Sequence, residues 1–277
     1  MIDILLAAYN GERFLKQQID SILAQSNQDW QLLIRDDNSS DSTVNIIKDY
    51  TVKYPHKIRL IEDDRGRLGP ALNFGKLLEH TDNDYVMFSD QDDVWLPDKI
   101  DLTLNTMKDA EEIYPNMPIL VHTDLKVVNE DLKIIADSLW SYCKVSPLDN
   151  SLNKIIYRNV ATGCTTMINR KAVDVSKPIP PEARVHDWWV ALNVAKTGKL
   201  VHVPLPTILY RQHPQSIIGA KRSGLAGFGV LIKKLRQFIK QLPNDYLMIK
   251  KVYPKVRLSL LIVHSIRQTI TKRLQLN

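Results

Sequence analysis

Three carboxylates crowd into four positions at Asp90-Gln91-Asp92-Asp93, directly after the stretch Asp84-Tyr-Val-Met-Phe-Ser89. Like charges packed that tightly are costly unless a cation or hydrogen-bond donors neutralise them. A hard divalent ion such as Mg2+ or Mn2+ takes oxygen ligands and commonly binds through one or two carboxylates plus substrate phosphates. Asp90 and Asp92 are therefore candidates to anchor a metal that holds a diphosphate and assists its departure as a Lewis acid. The competing reading is a solvated acidic loop capping a helix that begins near Pro97, because negative charge suits helix N-termini. A second polar cluster, Asp36-Asp37-Asn38-Ser39-Ser40-Asp41, follows the apolar run that starts at Trp30. Asp36 and Asp37 can accept hydrogen bonds from a base or ribose, whereas Asp41 or Ser42 is expected only to cap the next helix. Neither Gly-x-Gly-x-x-Gly nor a P-loop is present, which argues against dinucleotide and ATPase chemistry.

These clusters must be positioned by the elements that precede them. Ile2 to Ala8 is a continuous apolar run of strand length, as expected of a parallel strand buried on both faces. Phe14, Leu15, Ile19, Ile22 and Leu23 then fall on one helical face, with Asn10 placed to cap that helix. Trp30 to Arg35 predicts the next strand, Asp41 to about Lys53 a helix, and Lys57 to Ile61 a strand. Ala71 to Glu79 predicts a helix, Asp84 to Ser89 a strand, Pro97 to about Glu112 a helix, and Ile119 to Val128 an extended segment. Alternation of this kind implies a doubly wound α/β sheet through about residue 130. Ligands bind such sheets outside the carboxyl ends of the strands, so Tyr9-Asn10 and both acidic clusters should share one edge.

In this order, Ala8-Tyr9-Asn10-Gly11, Arg35 to Asp41 and Phe88-Ser89-Asp90-Gln91-Asp92-Asp93-Val94-Trp95 resemble the family 2 glycosyltransferases, which have a GT-A fold. Thr123-Asp124-Leu125, Thr162-Gly163-Cys164-Thr165, His186-Asp187-Trp188-Trp189 and Tyr210-Arg211-Gln212-His213 extend the resemblance to about residue 220. They are similar to bacterial rhamnosyltransferases that build cell-wall or capsular polysaccharides. The resemblance implies a Rossmann-like, mostly parallel sheet flanked by helices, and an inverting transfer of a sugar from dTDP-rhamnose or a UDP-sugar to a saccharide acceptor. It implies that Asp37, with Asp36, Ala8, Tyr9 and Asn10, meets the nucleotide, and that Asp90 approaches the ribose or metal. Asp92 would bind Mg2+ or Mn2+, with His213 reaching the metal or diphosphate, and Asp187 would be the catalytic base. Asp93, Trp95, Asp124, Gly163, Trp188 and Arg211 are expected around the donor or acceptor sugar. Trp188 can stack on a sugar face or belong to the core; Trp189 is expected in the core, His186 behind the site or exposed, and Cys164 as buried packing. The role of Pro70, in Arg67-Leu-Gly-Pro-Ala-Leu-Asn73, is open.

The whole chain of 277 residues carries a formal charge of +6, but the charge is divided. Residues 219–277 hold 13 Lys and Arg and a single acid, Asp245, so that stretch is +12 and the rest is −6. The expected organisation is a catalytic domain over 1–218, with a nucleotide half to 130 and an acceptor half from 131, then a basic helical region over 219–277. Phe228, Leu231, Ile232, Leu235, Phe238, Ile239 and Leu242 keep helical spacing opposite Lys233, Lys234, Arg236 and Lys240, the pattern of a helix resting on anionic lipid. A second helical segment is expected from Val252 to Leu276. The alternative is packing on the body or on a second subunit, as in a homo-oligomer. Nucleic acid is not expected, since basic charge comes without a stacking pattern or motif. With no leader and no apolar run near the roughly 20 residues that span a bilayer, a cytoplasmic enzyme peripheral on the inner membrane face and a lipid-linked acceptor are expected. The rival class is a non-catalytic membrane- or nucleic-acid-binding module whose acidic clusters are caps.

Overall fold

The computed structural model describes residues 1–214 and 228–263, the latter with side chains from residue 240 onward. The elements run β1 (Ile2–Ala8), α1 (Leu15–Leu23), β2 (Trp30–Asp36), α2 (Thr43–Lys53), β3 (Ile58–Leu60), α3 (Pro70–Glu79) and β4 (Tyr85–Ser89). They continue with β5 (Val94–Trp95), α4 (Lys99–Ile113), β6 (Ile119–Val128), β7 (Ile134–Ala136), α5 (Leu139–Cys143) and α6 (Leu152–Ile155). After a 3-10 turn at Gly163–Thr165 come β8 (Thr166–Asn169), α7 (Arg170–Ser176), α8 (His186–Thr197), β9 (Lys199–Arg211) and α9 (Phe228–Val252).

The strands form one sheet in the order β3-β2-β1-β4-β8-β6-β9-β5, with β7 on β6. The first four strands are parallel, as the alternating pattern predicts. Beyond them β8 runs antiparallel to both β4 and β6, while β9 returns parallel to β6, so the sheet is mixed. Side chains alternate across a strand, and β1 shows the result. Ile2, Ile4, Leu6 and Ala8 join the core beneath α1, α2 and α4, whereas Leu5 joins the core beneath α3, α7 and α8. Asp3, fully buried between them, accepts from Gln31 and Asn83 side chains and from Asp82 and Asn83 backbone N–H groups, which ties the turn before β4 to the start of β1.

Local chemistry departs from expectation at three helix starts. Asn10 does not cap α1, which lacks a side-chain cap; the Gly11 carbonyl instead accepts from Phe14 and Leu15 N–H. Asn10 sits at φ 47°, in the left-handed region that Asn tolerates, and its side chain serves a neighbouring loop. Pro97 lies two residues ahead of α4, its carbonyl accepting from Ser26 N–H. Pro70 opens α3 after Gly69 at φ 80°, so its fixed φ suits the first helical turn.

The basic region runs as two helical stretches among the described residues: α9, and a second that begins at residue 258 after a non-helical break over 253–257, later than the start expected at Val252. α9 continues unbroken past Pro243 to Val252, and Met248, Ile249 and Val252, followed by Val256 and Leu261, join the same apolar cluster as Trp188 and Trp189. Leu242 packs against that cluster too. The remaining apolar face proposed for residues 228–239, and the stretch 264–277, lie outside the described side chains. Among the described residues no helix is long and apolar enough to cross a membrane.

Candidate active site

The carboxyl ends of β1, β2 and β4 meet as a knitted rim. Asn10 N–H donates to Ser39 Oγ at 2.8 Å, Asn10 Oδ1 accepts from Ser40 N–H at 2.8 Å, and Gly11 N–H reaches Thr43 Oγ1 at 2.8 Å. Asp36 accepts from Ser39 N–H and Oγ at 2.8 and 2.5 Å. Asp41 bonds Thr43 and Glu12 N–H, a capping role in line with expectation. Asn10 and Asp36 therefore spend polar atoms on loop geometry. Gln91, to which sequence reasoning gave no role, joins this rim to the acidic turn by bonding Tyr9 N–H and C=O at 2.8 and 2.9 Å.

Asp37, expected to meet the nucleotide, is buried. It accepts from Arg35 Nη1 at 3.0 Å, Leu68 N–H at 2.7 Å and Gly69 N–H at 2.8 Å. Those three donors use most of a carboxylate's capacity. Arg35 in turn holds Asp63 at 2.9 Å, and that ion pair draws the Asp63 carboxyl down to about 2. Together they fix the loop 62–69 and bring the Arg67 guanidinium over the Tyr9 ring at 4.0 Å. Arg67 thus stands where nucleotide contacts were expected from Tyr9.

In the acidic turn the three carboxylates diverge. Asp90, half-buried, is pushed up to about 7 by burial and then by the charges of Asp92 and Asp187. Asp92 Oδ2 lies 2.7 Å from His213 Nε2, and the His213 ring packs on Phe14 at 5.1 Å. Asp93 points inward with no exposure, accepting from Arg211 N–H at 3.1 Å, so it is not available to a sugar. Cys164 lies against it: ligand atoms of Asp90, Asp93 and Cys164 are all within 4.8 Å of one another. Burial, followed by the Asp93 and Asp90 charges, raises the thiol well above its ordinary range, so it remains a protonated packing group and not a nucleophile. Below the turn, the Lys99 ammonium is fully buried 4.8 Å from the Trp95 ring, and desolvation lowers it to about 8. None of these acids caps α4, whose N-cap makes no side-chain bond, so the helix-cap reading of the turn fails.

Opposite this turn, Asp187 lies in the first turn of α8. Its Oδ2 accepts Gly163 N–H at 2.9 Å, while Oδ1 is buried without a hydrogen-bond partner among the described residues. Burial raises its carboxyl to about 6, against the lowering effect of the Gly163 and Trp188 N–H groups, Arg184 and Asn159. Gly163 has no room for a side chain, since a Cβ would stand 2.7 Å from His186 Nε2 and 3.3 Å from Asp187 Cβ. His186 is buried, not exposed, and its ring packs on Phe74 and Phe88 at 3.9 and 4.7 Å. Desolvation lowers that imidazole to about 3, so it is neutral.

Several residues expected at the sugar are engaged with the protein itself in this structure. Trp188 is buried and donates to Ile155 O at 2.7 Å, so its face is not offered to a sugar. Trp189, as expected, is in the core, donating to Ser176 O at 2.7 Å. Trp95 is buried in β5 against β9. Asp124 spends its carboxylate on Ser138 Oγ and on Leu125, Leu139 and Trp140 N–H at the start of α5. Arg211 is buried and clamps the acidic turn: Nε donates to Asp92 O at 2.8 Å, and its other nitrogens reach Glu130 O and Gln17 Oε1. Trp188, Trp189, Asp124 and Arg211 thus spend polar atoms on backbone groups that need partners, whereas Trp95 Nε1 is buried without a hydrogen-bond partner among the described residues.

The architecture is a GT-A fold, a curled α/β sheet flanked by helices. Staphylococcus aureus TarS residues 1–349, solved with UDP, superimposes with a TM-score of 0.61 at 14% identity, over 94% of this chain and 68% of that one. The mannosyltransferase PcManGT of Pyrobaculum calidifontis, solved with GDP-Man and Mn2+, gives 0.59 at 13% identity, over 99% and 82%. Residues 3–175 match Glycosyl transferase family 2, and the chain belongs to that family. It is 27% identical over 229 residues to the dTDP-rhamnosyl transferase RfbG of Shigella flexneri, covering 79% of this chain and 75% of that protein. It is 24% identical over 201 residues to WfgD of Escherichia coli, named a UDP-Glc:alpha-D-GlcNAc-diphosphoundecaprenol beta-1,3-glucosyltransferase, covering 72% of each.

Proposed function

We propose that the chain is an inverting glycosyltransferase that moves L-rhamnose from dTDP-rhamnose onto a lipid-linked or growing polysaccharide acceptor. The observation that carries the reaction type is Asp187, a carboxyl raised to about 6 across from the acidic turn, with one oxygen fixed by Gly163 and the other unbonded. A base of that pKa is mostly ionised near neutrality and still accepts a proton readily. Asp187 takes the proton of an acceptor hydroxyl as that oxygen bonds to the anomeric carbon. The bond from that carbon to the diphosphate oxygen breaks, and its electron pair leaves on the diphosphate. Attack from the face opposite the leaving group inverts the centre.

The donor set fits a hard divalent ion. Asp92 and Asp90 offer oxygens, and His213 sets an imidazole nitrogen 2.7 Å from Asp92. These three residues would hold Mg2+ or Mn2+, with Asp90 alternatively on the ribose. When bound, the ion neutralises charge on the departing diphosphate. Tyr9 and Ala8, at the end of β1, remain the proposed backbone contacts to the nucleotide, beside Arg67.

Rhamnose as donor rests on the likeness to RfbG, and the lipid-linked acceptor on the name of WfgD. That second relative also favours the alternative of a UDP-linked sugar. For the basic region we infer attachment to an anionic membrane on the cytoplasmic face. Asp245, its single acid, turns inward toward Arg184 at 3.7 Å. Lys240, Lys250, Lys255 and Arg257 remain exposed beside Leu247, Leu258 and Leu260. A donor screen tests the activity: Mn2+-dependent transfer from dTDP-rhamnose and not from UDP-sugars is expected. Wild type without Mn2+-dependent binding of dTDP or UDP would sink the reading. Salt-sensitive co-sedimentation with phosphatidylglycerol vesicles tests the membrane arm.

A further inference from the structure

A cleft of about 700 Å³ opens on the flank of the sheet between α5 with its following loop and the irregular middle of β9. That volume lies within the roughly 300–1,000 Å³ typical of small-molecule sites. Its walls are amphipathic. Trp140, flanked by the rings of His122 and His202 at 5.5 and 6.1 Å, and the rings of Pro204 and Pro206 supply apolar surface. Asp137, Ser141 and Lys144 line the same cleft and are exposed, offering a carboxylate, a hydroxyl and an ammonium. Asp124 shapes the wall, but its carboxylate is already spent on α5. Apolar ring surface edged by both donors and acceptors matches a saccharide, which has C–H faces and a hydroxyl rim.

The cleft is wired to the base by two short routes. The antiparallel pairing His122↔Thr166 carries Asp124 alongside the Gly163–Thr165 turn, and Gly163 N–H holds Asp187. On the other side, Arg158 donates to Cys143 O at 3.4 Å and Lys144 O at 3.5 Å, and the next residue, Asn159, has a lowering effect on the Asp187 carboxyl. We propose that this cleft is a subsite for the acceptor saccharide, holding sugar units one or more removed from the hydroxyl that reacts at Asp187. The inference rests on the glycosyltransferase reading and adds the direction in which the acceptor leaves the base.

Saturation-transfer NMR on the full chain tests it, with methyl glycosides of mono-, di- and trisaccharides of rhamnose and of N-acetylglucosamine as probes. Stronger transfer to di- and trisaccharides than to monosaccharides is expected. That enhancement should fall at least five-fold in Ser141→Trp, whose indole fills the cleft from an exposed helix position. It should fall likewise in Lys144→Gly, where glycine accepts the local φ of 50° and the whole side chain, ammonium included, is removed. No transfer to any probe, or an enhancement unchanged in both variants, overturns the subsite. Titration with dTDP or UDP plus Mn2+ separates the two levels of failure. Both variants should bind nucleotide as wild type does, whereas a wild type that binds none rejects the transferase reading and the subsite with it.

Discussion

Gln91 pairs with the backbone of Tyr9 in both directions, donating to Tyr9 O at 2.9 Å and accepting Tyr9 N–H at 2.8 Å. The amide continues the parallel pairing of β1 and β4 past the ends of both strands. Gly11 makes room for it, since a Cβ there would stand 2.4 Å from Gln91 Oε1. The residue between Asp90 and Asp92 is thus what fastens the acidic turn to the end of β1.

Gln91→Ala removes both bonds. At about 0.5–1.5 kcal/mol net for each, the loss should be on the order of 1–3 kcal/mol, measured by urea unfolding. Nucleotide affinity and its Mn2+ dependence should weaken together in titration calorimetry. Unchanged stability would remove Gln91 from the account.

Asp187→Asn should abolish sugar transfer and leave nucleotide affinity nearly intact. In wild type, kcat/KM should fall about tenfold per pH unit below the Asp187 value of about 6, because the base must be ionised. A profile flat from pH 7 to pH 5 would exclude this assignment.

The same carboxyl carries a stability signature. Asp187 moves from an ordinary 3.8 to about 6 on folding, so the folded chain binds its proton more tightly than the unfolded chain. Stability contributed by this group is therefore lost as pH rises from about 4 to 6, and the cost is complete above that window. Thermal unfolding of Asp187→Asn should exceed that of wild type at pH 8, with the gap closing near pH 4. An equal gap at both pH values would contradict it.

His122 titrates with the opposite sense. Its ring is fully buried, neither nitrogen has a hydrogen-bond partner among the described residues, and burial, with His202, lowers it to about 3. As pH falls below 6.5 the unfolded chain gains a proton that the folded chain refuses, costing up to about 1.4 kcal/mol per pH unit. His122→Phe should make the acid limb of stability shallower than in wild type between pH 6 and pH 4. Identical slopes would show that His122 keeps its proton in the fold.

Gly163→Ala forces a Cβ to 2.7 Å from His186 Nε2. Overpacking of that kind costs about 1–3 kcal/mol, and relief by moving Asp187 should lower kcat while nucleotide binding persists. Wild-type kcat with an unchanged melting temperature would show that the turn yields freely.

Strands buried on both faces were legible because their composition is local: the bounds expected for Ile2–Ala8 and Ile119–Val128 are those observed. β9 was not read as one strand because Pro204 and Pro206 interrupt its pattern, and its partner β6 lies about eighty residues away. The acidic cluster at Asp90–Asp93 announced charge that needed compensation, but not that Lys99 lies buried below it. Asp124, Arg211 and Asn10 were expected to face ligands. Spacing along a chain does not reveal which distant backbone N–H and C=O groups need a partner, and those groups claimed all three. Trp188 was ambiguous for a related reason, since an indole that can stack on a sugar can equally donate to a carbonyl such as that of Ile155.

α9 is seated through Met248, Ile249 and Val252 on the core that also holds Trp188, the neighbour of Asp187. Its 25 residues span about 37 Å at 1.5 Å per residue. If the basic region attaches to a membrane as proposed, a helix of that length seated on the core would set how far Asp187 stands from the surface.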